Sequence, residues 1–193
     1  NGNTGANGIP DILDEAKWGL DWLIKMNPEA GIMFNQIADD RDHAGFRLPN
    51  HDSVNYGKGV ERPVYFCTGE PQGVFQNKNR ADGIASTAGK FASAFALASV
   101  LLKNYYPEFS ENLIQKSVDA YEFGKANPGV CQTAPCRSPY FYEEDNYVDD
   151  MQLAAAKLYN LLNDEKYFDD AVEFGKQEPT TPWMGADTAN HYQ

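Results

Sequence analysis

Residues 84–102 read IASTAGKFASAFALASVLL, and this run decides the architecture. Ile84, Ala88, Phe91, Phe95, Ala98 and Leu102 recur at helical spacing, while Ala85, Gly89, Ala92 and Ala96 form a narrow second face. Small residues on that face let a neighbouring helix backbone come close. A helix apolar on both faces belongs between other helices, and no alternating strand pattern competes with it.

Four more helices are predicted outward from this one. The first spans about 10–26, with Pro10 in its opening turn, a stripe of Ile12, Ala16, Leu20 and Leu23, and a stop at Asn27-Pro28. Others cover about 110–126, ended by Asn127-Pro128-Gly129, then 148–162, and 165–177 ahead of Pro179. The stretch Asp119-Ala120-Tyr121-Glu122-Phe123-Gly124-Lys125 recurs as Asp170-Ala171-Val172-Glu173-Phe174-Gly175-Lys176, differing only at Tyr121 against Val172. Such an offset is what stacked helical hairpins produce. The expected fold is all-α and built from hairpins.

Two long connections interrupt the helices, about 27–83 and 127–147, rich in Gly, Pro, Asn and aromatics. Loops of that length in a compact domain usually bind or catalyse. Both precede a helix, so they are expected to gather on one rim and shape a cleft.

Net charge is −12, which disfavours attraction to nucleic acid or anionic lipid and favours a neutral ligand or a cation. No uninterrupted apolar run is long enough to cross a bilayer, and the opening NGNTGANG lacks the charged and apolar regions of a signal peptide. Of three cysteines, Cys131 and Cys136 enclose the short loop QTAP, where a disulfide would suit an exported protein and leave Cys67 as a buried thiol. None has zinc-type spacing.

The densest chemistry lies in Tyr140–Asp150, YFYEEDNYVDD, with four aromatic rings and five carboxylates just before a helix. Clustered acids repel unless a cation or polar ligand sits among them, and loop aromatics expose apolar faces unless something flat lies on them. Asp145, Asn146, Asp149 and Asp150 present oxygens suited to calcium. Acids at a helix start also serve as caps, and spacing does not separate the two roles. In the charged loop Asp39–Pro49, His43 followed by Phe46 suits a sugar hydroxyl and a pyranose face, although a lone loop histidine is more often structural. Trp183 stands in Pro182-Trp183-Met184-Gly185-Ala186-Asp187, where small neighbours leave its indole face open, although tryptophan is more often core, and Asp187 is either a distant metal ligand or the start of a further helix. No G-x-S-x-G, H-E-x-x-H, P-loop or dinucleotide fingerprint occurs.

The blocks NGIPDILDEAKWGLDWLIKMNP, QIADDRDHAGFRLP, YFCTGEPQG, ASTAGKFASAFALAS, NYVDDMQLAAAKLYN and PWMGADTANHYQ, taken in order, resemble the middle of a family 9 glycoside hydrolase catalytic domain. The resemblance implies a partial (α/α)6 toroid from an inverting β-1,4-glucanase, usually a cellulase, acting on cellulose or related β-glucans. It implies structural calcium at Asp145, Asn146, Asp149, Asp150 and Asp187. It further implies substrate contacts from His43, from Phe46 where a tryptophan is common, from the pair Phe141 and Tyr142, and from Trp183. In that family the general base lies in an Asp-Ala-Gly-Asp motif upstream of the NGIPD block, and the acid glutamate follows a Pro-His-His-Arg-like motif near the C-terminus. Neither motif is present here, and inversion needs both carboxyls about 6.5–9.5 Å apart. The expectation is therefore that residues 1–193 are a fragment lacking the N- and C-terminal portions of the domain and holding no catalytic residue. Alone it would be inactive, with the remainder of the domain and a cello-oligosaccharide as partners, in a secreted or periplasmic setting without nucleic acid or membrane. The rival expectation is a non-catalytic helical scaffold that binds carbohydrate or a partner protein.

Overall fold

The computed structural model describes residues 5–42, 45–136 and 144–178. Five helices carry the chain: α1 Asp11–Met26, α2 Ala85–Leu102, α3 Pro107–Ala126, α4 Val148–Leu162 and α5 Glu165–Gln177. Helix α3 begins three residues before the predicted Ser110 because Pro107 suits the first helical position, where a backbone N–H would have no partner anyway. The α4–α5 turn is tight for a local reason. Asn163 ends α4 in the left-handed region, φ 53°, and the Asp164 carboxylate accepts the Lys166 amide at 3.1 Å to start α5.

Helix α2 is the centre of the packing, as its two apolar faces require. Ala85, Ala88, Phe91, Ala92, Phe95, Ala96 and Leu102 are buried, with α3 on one side and α4 on the other. Gly89 permits the α4 contact: a Cβ there would meet the Asp150 backbone at 2.7 Å. Helix α5 flanks α4, so α2 and α4 lie inside and α3 and α5 outside, the layering of neighbouring hairpins in a ring. By length and hydropathy α2 alone among the described helices would suit a bilayer, although Lys90 interrupts its apolar run. Most of that helix is instead covered by protein, which accounts for its apolar composition.

Helix α1 joins this body mainly through side chains. Lys17 lies 4.4 Å from the centroid of the Phe109 ring, and the Lys116 ammonium donates to the Asn27 carbonyl at 2.6 Å, placing a cation at the C-terminal end of α1. The connection between α1 and α2 is not irregular throughout. Strands β1 Phe34–Ile37 and β2 Val64–Phe66 pair antiparallel, with Phe34 opposite Phe66 and Ile37 opposite Val64.

Candidate functional site

The two long connections meet at the N-terminal end of α2. They enclose a hollow of about 270 Å³ walled by Trp22 of α1, Phe34 of β1 and Phe91 of α2, with Asn35, Lys90 and Glu144 supplying polar groups. Residues 131–133 form the floor, and the segment 130–136 is held by side chains and backbone amides of the other connection and by Ser86 of α2. Asn35 and Asn79 amides donate to the Gln132 carbonyl at 3.0 and 2.9 Å, and Gln36 accepts the Ala134 amide at 2.7 Å. Gln132 returns the bond, accepting the Arg80 amide at 2.6 Å and donating to the Glu144 carbonyl at 2.7 Å. Aromatic walls with a few fixed polar groups suit a neutral, hydroxyl-rich ring.

Lys90 is the cation of this hollow. Its ammonium touches Glu144 and lies 2.8 Å from Asp150 Oδ2. Burial works against its charge, and the two carboxylates more than restore it. Asp150 is pushed up to about 7, chiefly by burial, with Lys90 pulling the other way. Lys90 was not singled out in the sequence, although a lysine within an alanine-rich core helix is itself a signal.

The acidic residues expected to bind calcium are placed as follows. Asp145 is exposed and pairs with Arg80 at 3.2 Å. The Asn146 side-chain oxygen accepts the Val148 amide at 3.0 Å in a local turn before α4, and its nitrogen donates to Glu178 at 2.9 Å. Asp149 is exposed on the first turn of α4. Asp150 has Lys90 as its counter-charge, as Asp145 has Arg80, so two of the expected ligands are already ion-paired. Asp187 lies outside the described residues. Among the described residues, Asp39, Asp40 and Cys136 bring ligand-type atoms within 4.8 Å of one another, but Asp39 is already neutralised by Arg41.

Of the expected sugar contacts, His43, Phe141, Tyr142 and Trp183 lie outside the described residues. Phe46 is described, and its ring is fully exposed. The chain on either side of residue 43 is braced by charge. Arg47 and Arg62 each bridge Asp42 and Asp52, at 3.0 and 2.9 Å for Arg47 and 2.9 and 2.6 Å for Arg62, closing a four-membered ring of alternating charge. Beside it Arg41 grips Asp39 with two nitrogens at 2.8 and 2.6 Å, and the Tyr65 hydroxyl donates to the same carboxylate. The Arg41 bonds, with Tyr65, hold the Asp39 carboxyl down at about 2 despite its burial. A second hollow of about 380 Å³ opens over this network, lined by Gln36, Asp40 and Arg47 among others.

The cysteines depart from the expected pairing. All three are free thiols and buried, and the Cys131 sulfur accepts the Asn35 side-chain amide at 3.3 Å.

Fold and hollow together define a helical-hairpin protein with an aromatic and acidic groove at the start of its inner helices. The chain belongs to glycosyl hydrolase family 9, whose sequence profile matches residues 2–192. It is 29% identical over 160 residues to endoglucanase 14 of Arabidopsis thaliana, an alignment covering 82% of this chain and 29% of that protein. It is also 29% identical over 177 residues to endoglucanase D of Acetivibrio thermocellus, covering 89% of this chain and 25% of that one. Among solved structures it superposes on the cellulase Cel9M of C. cellulolyticum in complex with cellobiose, with a TM-score of 0.68 and 21% identity, covering 89% of this chain and 35% of that one. The endoglucanase of the termite Nasutitermes takasagoensis gives 0.65 and 25%, covering 86% and 35%. The described helices are thus hairpins of an (α/α)6 barrel, and the chain spans about a quarter to a third of the length of these proteins.

Proposed function

We propose that this chain forms one wall of the glucan cleft of an inverting β-1,4-glucanase acting on cellulose or a related β-glucan. The observation that carries the reading is the family match along residues 2–192. The aromatic hollow at the start of α2 supports it. Trp22, Phe34 and Phe91 would give a glucosyl ring apolar faces, and His43, Phe46, Phe141, Tyr142 and Trp183 would extend the contacts along the groove. The general acid and base would come from sequence outside these 193 residues, since neither family motif occurs within them. Exposed apolar side chains on three helices, Ile12 and Trp18, Leu97 and Leu101, and Phe168 and Val172, support the remainder of the domain as the cover for these faces. A secreted or periplasmic site of action fits an insoluble polymer as substrate.

Calcium would be held by Asp145, Asn146, Asp149, Asp150 and Asp187, and its chemistry there would be structural, tying the approach to α4 to the Asp187 segment. Chelator should lower the melting temperature and added calcium restore it; no bound calcium by elemental analysis would remove this part of the reading.

The test of function is titration with cello-oligosaccharides followed by tryptophan fluorescence, together with hydrolysis of carboxymethylcellulose by the natural full-length protein. Saturable quenching and turnover support the proposal. Turnover without any response to Trp22→Ala would place the glucan elsewhere, and neither quenching nor turnover would favour a non-catalytic scaffold.

A further inference from the structure

Phe75 is the one bulky residue among those described whose backbone is left-handed, φ 61°. Asparagine tolerates that conformation at the end of α4, but for an aromatic residue it is strained. The ring is 70% exposed, so packing within the described residues does not offset the strain. The loop around it is closed and braced. The Asn79 amide donates to the Gln72 carbonyl and the Gln72 amide to Asn79 Oδ1, both at 2.8 Å. Between them Lys78 donates to the Gly73 carbonyl at 2.9 Å, and a Cβ on Gly73 would overlap the Asn77 carbonyl. This loop is mounted on the walls of the hollow. The Gln72 side chain donates to the Phe66 carbonyl at 2.8 Å, and Phe66, 38% exposed, lies edge to face on the hollow-lining Phe34 with ring centroids 5.5 Å apart. On the other side the Val74 amide donates to the Pro135 carbonyl at 2.8 Å and Asn77 to the Cys136 carbonyl at 3.0 Å, just beyond Thr133 of the floor. Gln76 and Lys78 are exposed beside Phe75, so the ring stands among amide and ammonium groups and not in the broad apolar patch that a protein partner covers. Such a setting suits one flat, hydroxylated ring.

We propose that Phe75 is a stacking platform for one sugar unit of a β-glucan, outside the hollow and engaged only by a chain long enough to run from Phe34 past Phe66. The assignment rests on the glucan reading above. Phe66 carries the Phe34 wall outward, and the 72–79 loop presents the next ring. The left-handed backbone sets the direction of that ring in advance, and a ring already fixed loses little freedom when a ligand stacks on it.

The test is calorimetric titration of the natural full-length protein, and of its Phe75→Asn and Phe75→Trp variants, with sulfur-linked analogues of cellobiose and cellohexaose that resist hydrolysis. Asparagine accepts the left-handed backbone, so Phe75→Asn should melt no lower than the parent. Its affinity for the hexasaccharide should fall about five- to tenfold while that for the disaccharide stays the same. Phe75→Trp should bind the hexasaccharide at least as tightly as the parent. Parent-like binding of the hexasaccharide by Phe75→Asn would overturn the platform and leave the glucan reading standing. Equal losses for both sugars would overturn it by placing Phe75 inside the hollow, and a clear drop in melting temperature would overturn it by making the ring a packing residue. A parent that binds neither sugar overturns both readings.

Discussion

The Tyr121 hydroxyl donates to Asp170 at 2.8 Å, so the one residue that differs between the two echoed heptapeptides bonds to the first residue of the other copy. Tyr121 is fully buried, and its ring packs edge to face on Tyr167 with centroids 5.3 Å apart. Lys125 binds the same carboxylate at 2.6 and 2.7 Å. The echo is therefore a seam between outer helices α3 and α5. Burial and the Asp170 bond both keep the Tyr121 phenol protonated.

Removing that seam has an ordered cost. Tyr121→Phe loses one buried bond but leaves Asp170 with Lys125, and should cost about 1–2 kcal/mol in urea unfolding. Asp170→Ala strands the buried hydroxyl and should cost more, about 2–3 kcal/mol. Equal costs would mean that Lys125, not the tyrosine, holds the seam.

The glycines at the same place in the two copies should respond in opposite ways. A Cβ on Gly124 would meet the Ala88 Cβ at 2.8 Å and the Met151 sulfur at 3.0 Å, so Gly124→Ala overpacks the core and should destabilise by about 1–3 kcal/mol. At Gly175 the nearest atoms belong to the Gln152 side chain, which can swing away. Gly175→Ala should be neutral or stabilising by up to about 1 kcal/mol from helix propensity. Thermal melts of the two variants decide the matter.

Asp39 makes the stability of the surrounding loop depend on pH in the acid range. Its folded value of about 2 lies below the ordinary 3.8, so its contribution is present in full above about pH 4 and is lost as pH falls through about 2. That contribution is about 2 kcal/mol, and Asp39→Asn should remove it at neutral pH while flattening the acid limb of the stability curve. Hydrogen exchange across residues 38–66 at pH 6 and pH 2 should show the same loss locally.

Lys90→Met should leave Glu144 and Asp150 facing each other without a cation and cost about 2–4 kcal/mol. Adding Asp150→Asn to that variant should recover most of the loss. Failure of the second change to rescue would show that Lys90 acts through packing along its stem.

What could be read locally was legible in the sequence. Pro10, Asn27-Pro28, Asn127-Pro128-Gly129 and the apolar spacing of 84–102 mark helix ends and faces within a few residues, because caps and periodicity are short-range effects. The predicted α4 and α5 match their observed bounds. The sequence also established the all-α hairpin class and, through its ordered blocks, the family. Tertiary structure alone decided that Lys90 pairs with Asp150 and that Trp22, Phe34 and Phe91 share one hollow. Lys90 and Asp150 stand on different helices, and Trp22, Phe34 and Phe91 on three different elements, and no local rule relates them. Their meeting follows from how α2 seats against α4 and from the side-chain bonds that fix residues 130–136, which exist only once the chain has closed on itself.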